Sequence, residues 1–302
     1  MKNQINKFLL KVLWFVLPVL VFFEVLFRLG FAPIVTDSTL FDIKMLTVQK
    51  RHIKNIKLLS MGSSINLYEL DSKIMVQNFN MPYYNFASWS LQMADMKRLL
   101  TDLVKTNNPK YVIICSSFPD FISPPNNSYL NYINTNTFVK NDLPELFYFK
   151  NYYSIHQLVW RKFHTYKLVI DDWGGASLSA KNINKNKWDE HDIFPTKYTR
   201  ENYEALDSLS AFLNIENVKF IFVQVPIKKS YTNTDKSKQI IQSHFDKCKS
   251  IVESNNGIYL NYYNTAIFTD SLFIDQYHLH SAGAVILTKE IVSDLKKINL
   301  IK

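Results

Sequence analysis

The segment that decides the fold is Ile56-Lys57-Leu58-Leu59-Ser60-Met61-Gly62-Ser63-Ser64. This short apolar run ends at a glycine and two serines, which is typical of a buried strand followed by a tight turn. Further strand candidates follow at 82–87, 111–115, 218–225 and 257–262. Segments with helical spacing lie at 91–105, 203–213, 237–255 and 281–297. Because short apolar strands alternate with helices, we predict a parallel sheet with helices on both faces.

The position of Gly62-Ser63-Ser64 is typical of a functional site, because sites in open parallel sheets form beyond the carboxyl ends of the strands. We predict Ser64 as a nucleophile, which needs a neighbouring base to remove its proton. Ser63 is the alternative nucleophile, and the local sequence does not separate the two. In the competing interpretation, both serines only cap the next helix.

A base and its orienting acid are supplied by Asp275-Gln276-Tyr277-His278, just before the last predicted helix. An aspartate three residues before a histidine can hold the imidazole in one tautomer, so that the ring accepts the serine proton. We therefore predict His278 as the base and Asp275 as its acid. The alternative is a surface histidine in a turn. Ser281 is the predicted N-cap of the last helix.

These two blocks resemble those of the SGNH (GDSL-type) hydrolases, and the resemblance spans about residues 56–302. That family has its serine in a Gly-Asp-Ser block after the first strand and its Asp-x-x-His block before the C-terminal helix. Ser63 stands here in place of the family's aspartate. A Gly-Ser-Ser variant is similar to membrane-anchored members that act on cell-envelope polymers, such as the D-alanyl transfer protein of teichoic acid synthesis and the alginate O-acetyltransferases. The implied fold is a flavodoxin-like three-layer α/β/α sandwich.

The resemblance also indicates where an oxyanion would bind. The family's second block provides a backbone N–H from a glycine, and Ser90 falls at that position. The third block normally provides an asparagine, and Pro119 occupies its place and has no N–H. Loss of one such donor typically costs about 10²–10³-fold in rate. The predicted donors are therefore the N–H groups of Ser64 and Ser90, with the Ser117 side chain as a possible replacement.

The N-terminal part is predicted to be a membrane anchor. Residues 1–7 form a short cytoplasmic N-terminus, 8–29 a transmembrane helix, 30–55 a connecting segment and 56–302 the catalytic domain, with an insertion at about 119–200. The apolar stretch is long enough to cross about 30 Å of hydrocarbon. Lys2 and Lys7 precede it and Lys11 lies at its start, so the catalytic domain is expected outside the cytoplasm. A cleaved signal peptide is the alternative interpretation.

Composition narrows the function classes. The chain has 302 residues, 47% hydrophobic content and a formal charge of +9. Lysines and arginines are scattered, which argues against nucleic-acid binding. Cys115 and Cys248 do not have the spacing of metal ligands, and the sequence does not decide whether they form a disulfide bond with each other. No metal or cofactor is expected. The insertion contains three tryptophans that could either stack on sugar rings or pack the insertion onto the core: Trp160, Trp173 and Trp188. Its three histidines do not have the spacing of a zinc site: His156, His164 and His191.

The sequence therefore predicts a membrane-anchored, extracytoplasmic serine acyltransferase or esterase. Its expected substrates are O-acyl groups, with acetyl the favoured group, on an envelope polysaccharide, and the route is an acyl-serine intermediate. The expected partners are the lipid bilayer, the polymer and, as the resemblance implies, a membrane-bound O-acyltransferase that supplies the acyl group. The alternative is a catalytically degenerate scaffold that binds an envelope polymer or an assembly partner.

Overall fold

The computed structural model describes residues 2–28, 36, 38–126, 129, 169–179, 198–232 and 234–301. These residues fall into two compact units. One takes the described residues within 1–42 and 128–167, and the other takes those within 43–127 and 168–302. Most of the predicted insertion lies outside the described residues.

The larger unit is built on a parallel sheet of five strands. They are β1 (Leu58–Ser60), β2 (Tyr83–Asn85), β3 (Tyr111–Ser116), β4 (Lys219–Gln224) and β5 (Ile258–Asn261). Their order across the sheet is β2-β1-β3-β4-β5, and every pairing is parallel. This is the flavodoxin-like order, in which the direction of winding reverses between β1 and β3. The predicted fold class is confirmed.

Helices cover both faces of the sheet. In chain order the helices are α1 (Lys2–Arg28) in the smaller unit, α2 (Thr39–Lys50), which begins in the smaller unit, and then those that pack on the sheet: α3 (Ser64–Glu69), α4 (Ser72–Phe79), α5 (Met93–Asn107), α6 (Arg200–Ile215), α7 (Asp235–Ser254) and α8 (Ser281–Lys297). Helix α8 contacts α3 and α4, whereas α6 contacts α5 and α7. Alternate strand residues point to opposite faces, so Ile113 and Cys115 pack in the core cluster that includes Leu287 and Ile291 of α8.

Three helices were not expected from the sequence. Helix α2 has 12 residues and lies within the segment that was predicted to connect the anchor to the catalytic domain. Helices α3 and α4 have six and eight residues, which is too short for a clear 3.6-residue periodicity. Their ends are fixed locally by the Ser63 and Asp71 side chains, which accept hydrogen bonds from Ile65 N and Ile74 N.

The smaller unit contains α1 (Lys2–Arg28) and the start of α2. The stretch Gln4–Val25 of α1 is long and apolar enough to cross a membrane by length and composition, and a signal sequence would meet the same criteria. Beyond it, Thr36 donates its backbone N–H and its hydroxyl to Asp42 Oδ1, both at 2.9 Å. Phe41 and Tyr129 pack edge to face, with ring centroids 5.3 Å apart.

Candidate active site

The turn after β1 positions the two serines differently. A Cβ on Gly62 would lie 2.2 Å from Asn66 Cβ, so no side chain fits where the chain enters α3. Ser63 is buried, and its Oγ accepts a hydrogen bond from Ile65 N at 3.1 Å, which makes it the N-cap of α3. Ser64 is the first residue of the helix. The capping interpretation therefore holds for Ser63, and the Ser64 hydroxyl is left to face the base.

The segment before α8 folds back on itself and holds Asp275 and His278 together. Ile274 N donates to His278 O at 2.8 Å, and Phe273 forms an antiparallel bridge with Leu279. The Asp275 Oδ1 atom accepts the backbone N–H groups of Tyr277 at 2.9 Å and His278 at 2.7 Å. The carboxylate is thus fixed by the turn that it stabilises. The N-cap of α8 is His280 rather than the predicted Ser281, because the His280 ring accepts from Ala282 N.

The three predicted catalytic side chains meet in one line of hydrogen bonds. His278 Nε2 lies 2.9 Å from Ser64 Oγ, and His278 Nδ1 lies 2.7 Å from Asp275 Oδ2. Asp275 and His278 are 2% and 5% exposed, so little water competes for these contacts. An acceptor carboxylate at Nδ1 keeps the proton on that nitrogen and leaves Nε2 free to accept the serine proton. The arrangement can activate a hydroxyl for attack on a carbonyl carbon.

A second buried carboxyl group supports this loop. Glu69, the last residue of α3, accepts the Leu279 backbone N–H through Oε1 at 2.8 Å. Burial raises the pKa of Glu69 well above its ordinary value, the hydrogen bond from Leu279 offsets part of the effect, and the nearby charge of Asp275 adds to it. Burial and the charge of Asp275 therefore both disfavour a second full negative charge at Glu69, which still holds the loop through its hydrogen bond from Leu279.

An asparagine network joins the ends of three strands behind the nucleophile. Asn66 Nδ2 donates to Ser60 Oγ at 2.7 Å and to Asn85 Oδ1 at 3.2 Å. Asn66 Oδ1 accepts the Cys115 N–H at 2.8 Å, and Asn85 Oδ1 accepts the Ala87 N–H at 2.9 Å. All of these groups are buried, so each bond is made in surroundings where an unpaired partner would be costly. The network fixes the start of α3 against β1, β2 and β3.

The predicted oxyanion donors lie in different surroundings. The N–H of Ser64 is at the first position of α3, where no preceding helical carbonyl accepts it. Ser90 has φ +58°, the left-handed conformation that favours glycine, and it lines the cleft. Ser117 is fully buried, and its Oγ accepts a hydrogen bond from Gln224 Nε2 at 3.2 Å. Ser117 is not among the described cleft residues, so the geometry favours Ser64 and Ser90 over Ser117 as donors.

Ser64 and His278 open into a cleft of about 710 Å³, a size that suits a small-molecule or sugar-sized ligand. One wall carries Tyr68, whose hydroxyl accepts the Trp89 indole N–H at 2.8 Å. The Tyr68 ring also meets the His278 ring edge to face, with centroids 6.0 Å apart. In a chain with formal charge +9, the described cleft lining contains three aspartates and neither lysine nor arginine.

Several candidate residues lie elsewhere. Trp160, Trp188, His156, His164 and His191 are outside the described residues. Trp173 packs against the core cluster and is not among the described cleft residues. Cys115 and Cys248 are both free, buried thiols. Within the described part of the chain, no group of three or more His, Cys, Asp or Glu residues could hold a metal ion.

Sequence reasoning missed four polar residues that the fold places around the site. Asn66 and Glu69 lie on the short α3 helix, Asp120 follows β3, and Lys44 lies on α2. All four are almost fully buried. Polar residues of these types are usually exposed, and only their position after predicted strands could have identified Asn66 and Asp120.

Comparisons with known proteins find similar structures at low identity. No protein-family model and no curated protein sequence match the chain. An acetylxylan esterase from Geobacillus stearothermophilus is 14% identical, with 80% of this chain and 94% of that chain covered and a TM-score of 0.46. An alpha/beta hydrolase enzyme from the metagenome of Lake Arreo, Spain, is 12% identical, with the same coverage and a TM-score of 0.47. A structural similarity at these TM-scores is too weak to assign a function, so the function is inferred from this chain's own residues.

Proposed function

We propose that the chain is a serine esterase or O-acyltransferase that works through an acyl-serine intermediate. The single observation that carries the proposal is the contact of Ser64 Oγ with His278 Nε2 at 2.9 Å, with Asp275 on the opposite ring nitrogen at 2.7 Å. These three side chains line an open cleft, where a substrate carbonyl can approach the hydroxyl.

The first half of the reaction transfers the acyl group to the protein. Ser64 Oγ attacks the carbonyl carbon of the ester while His278 Nε2 takes the hydroxyl proton. The carbonyl π electrons move onto oxygen, and the N–H groups of Ser64 and Ser90 stabilise the resulting oxyanion. The bond between carbon and the leaving oxygen then breaks, and His278 returns its proton to that oxygen. An acyl-serine and a free alcohol result.

The second half regenerates the serine. His278 takes a proton from an incoming hydroxyl, whose oxygen attacks the acyl carbon and displaces Ser64 Oγ, which recovers the proton. Water as acceptor gives hydrolysis, and a carbohydrate hydroxyl gives transfer. The absence of an N–H at Pro119 slows both the formation and the breakdown of the acyl-serine, so it does not by itself distinguish hydrolysis from transfer.

An acetyl adduct on Ser64 tests this proposal. The full chain in detergent is treated with p-nitrophenyl acetate and digested, and the peptides are analysed by mass spectrometry. We expect an acetyl group on the peptide that contains Ser64, its loss in Ser64→Ala and its retention in Ser63→Ala, the matched control. Absence of an adduct across several activated esters would instead support the degenerate scaffold, the hypothesis favoured by the missing donor at Pro119.

We further propose that α1 anchors the chain in the membrane and that the catalytic unit lies outside the cytoplasm. The supporting features are the apolar stretch Gln4–Val25 and the lysines at positions 2, 7 and 11. An envelope polysaccharide and a membrane-bound acyl donor system are then the natural partners. Because Cys115 and Cys248 are buried, a Ser254→Cys variant can be labelled selectively. An impermeant maleimide should label it in intact cells, and labelling only after permeabilisation would contradict this topology.

A further inference from the structure

Tyr68 is a polar side chain of the cleft that no step of the proposed reaction uses. It lies on α3 one helical turn after Ser64, so the two side chains lie on the same face of the helix. The Tyr68 ring meets the His278 ring edge to face, with centroids 6.0 Å apart. Ser64 Oγ lies 2.9 Å from Nε2 of the same imidazole. One helix face therefore brings both the nucleophile and Tyr68 to His278.

The hydrogen bond between Trp89 and Tyr68 determines what the Tyr68 hydroxyl can still bind. The Trp89 indole N–H donates to the Tyr68 oxygen at 2.8 Å. Because an indole N–H can only donate, the phenol is the acceptor in this pair and keeps its own proton available. Within the part of the chain that the structure describes, that proton has no acceptor.

The surroundings of Tyr68 favour a ligand as the missing acceptor. The side chain is 8% exposed, and a buried donor without an acceptor is costly. Burial also raises the pKa of Tyr68, and the hydrogen bond from Trp89 offsets part of this effect. The hydroxyl therefore stays protonated at neutral pH. Since Tyr68 lines the cleft, an oxygen of a bound molecule can accept its hydrogen bond.

The position of His278 indicates which part of an ester lies against Tyr68. In the proposed reaction, His278 Nε2 gives its proton to the leaving alcohol and takes a proton from the incoming hydroxyl. The alcohol must therefore lie beside the imidazole in both halves of the reaction. Tyr68 and Tyr277 pack against this ring, with centroids 6.0 and 4.8 Å away, and both line the cleft.

The Tyr68–Trp89 pair has the chemistry of a sugar-binding wall. Trp89 is partly exposed and lines the cleft beside Tyr68. A flat aromatic ring can pack against the apolar C–H face of a pyranose, while a fixed hydroxyl donates to one of the sugar oxygens. A simple alcohol with no further oxygen would leave the Tyr68 donor unpaired. The pair therefore favours alcohols that carry additional oxygens.

We propose that Tyr68 and Trp89 form a subsite that binds the sugar alcohol of the substrate beside His278, with the Tyr68 hydroxyl donating to a sugar oxygen and the Trp89 ring packing on the C–H face. The inference rests on the proposed function, in which this alcohol leaves and the acceptor enters at His278. Neither residue forms or breaks a covalent bond. They determine which alcohols the site accepts.

Two acetyl esters that differ only in their alcohol test the subsite. The full chain in detergent is assayed for acetate release from methyl glucoside acetylated on its primary hydroxyl and from ethyl acetate, in wild type and Tyr68→Phe. We expect the ratio of the two kcat/KM values, glucoside over ethyl, to fall about tenfold, the size expected for one lost neutral hydrogen bond. A fall of both values by the same factor would assign Tyr68 a structural role and overturn the proposal, and so would an unchanged ratio.

Two further variants keep the test decisive if Tyr68→Phe folds poorly. Trp89→Phe keeps an aromatic ring but removes the N–H that fixes the Tyr68 oxygen, so the ratio should again fall. Tyr111→Phe is the matched control, because its hydroxyl donates to Leu300 O at 3.2 Å and it is not among the described cleft residues. An unchanged ratio in Trp89→Phe, or an equal fall in Tyr111→Phe, would overturn the proposal.

A binding measurement without turnover separates this inference from the proposed function. The Ser64→Ala chain, which cannot form an acyl-serine, is isotope-labelled in its tryptophans, and the Trp89 indole resonance is identified by its loss in Trp89→Phe. The acetylated glucoside should shift this resonance, with a dissociation constant that rises about tenfold when Tyr68→Phe is added. This result in a chain that hydrolyses no ester supports the subsite, and the proposed function alone fails. Ester turnover by wild type without any shift of the Trp89 resonance overturns the inference alone.

Discussion

Lys44 makes stability depend on pH in a way that the Lys44→Met variant should reveal. The side chain is 1% exposed, and Nζ donates to the carbonyl oxygens of Asn85 and Ala87, which lead to the loop that carries Ser90. Burial lowers the pKa of Lys44 to about 7, and the charge of Asp171 offsets part of this. A neutral amine still has two N–H groups, enough for both carbonyls.

The size of the effect follows from the pKa difference. The ordinary value for lysine is 10.5, so the difference of about 3.5 pH units corresponds to at most about 5 kcal/mol. Between pH 7 and 10.5 the unfolded chain binds a proton that the folded chain lacks. The free energy of unfolding contributed by this group therefore rises with pH across that window and is lowest below pH 7.

The assay is chemical unfolding of the full chain in detergent at several pH values from 6 to 10. The difference in unfolding free energy between wild type and Lys44→Met should grow with pH in favour of wild type, by several kcal/mol. Taking the difference cancels the tyrosines and cysteines that titrate at high pH in both proteins. Lys44→Arg, which stays charged throughout, should not recover stability at high pH. A difference between wild type and Lys44→Met that is constant from pH 7 to 10 would refute the reasoning.

Two further substitutions test the scaffold of the site. Gly62→Ala places a methyl group 2.2 Å from Asn66 Cβ, so α3 must shift. We expect the free energy of unfolding to fall by about 1–3 kcal/mol in chemical unfolding and the acetylation of Ser64 to become slower. An unchanged acetylation rate would contradict the role of the turn. Asn66→Ala leaves the buried Cys115 N–H and Ser60 hydroxyl without this partner, and it should lower the free energy of unfolding by about 2–4 kcal/mol. A loss below about 0.5 kcal/mol would show that the asparagine network is not needed.

The strands and long helices were predictable because their periodicity and burial agree. The run at 111–115 became β3, Tyr111–Ser116, and the segment at 281–297 became α8 with the same limits. The short helices α3 and α4 were missed because fewer than three turns carry almost no periodic pattern. Helix α2 was missed because its apolar residues follow no clear helical spacing in a segment that also contains a buried lysine, Lys44.

The site was predictable in its residue types but not in its supporting groups. Helix α8 packs against α3 and α4, which brings the loop before α8 next to the end of β1, and the sequence indicated both segments. The choice between Ser63 and Ser64 depended on which hydroxyl caps α3, a matter of local geometry that spacing does not encode. Glu69 and Lys44 are buried against the usual tendency of charged residues, so only the fold identifies them.

The rate at which a fluorophosphonate modifies Ser64, measured by mass spectrometry on the full chain, tests the central claim most directly. We predict one modified site, at Ser64, that is absent in Ser64→Ala and is formed at least about 10³-fold more slowly in His278→Ala, because the imidazole no longer accepts the serine proton. Modification of a different residue, or a rate at Ser64 that does not depend on His278, would contradict the account.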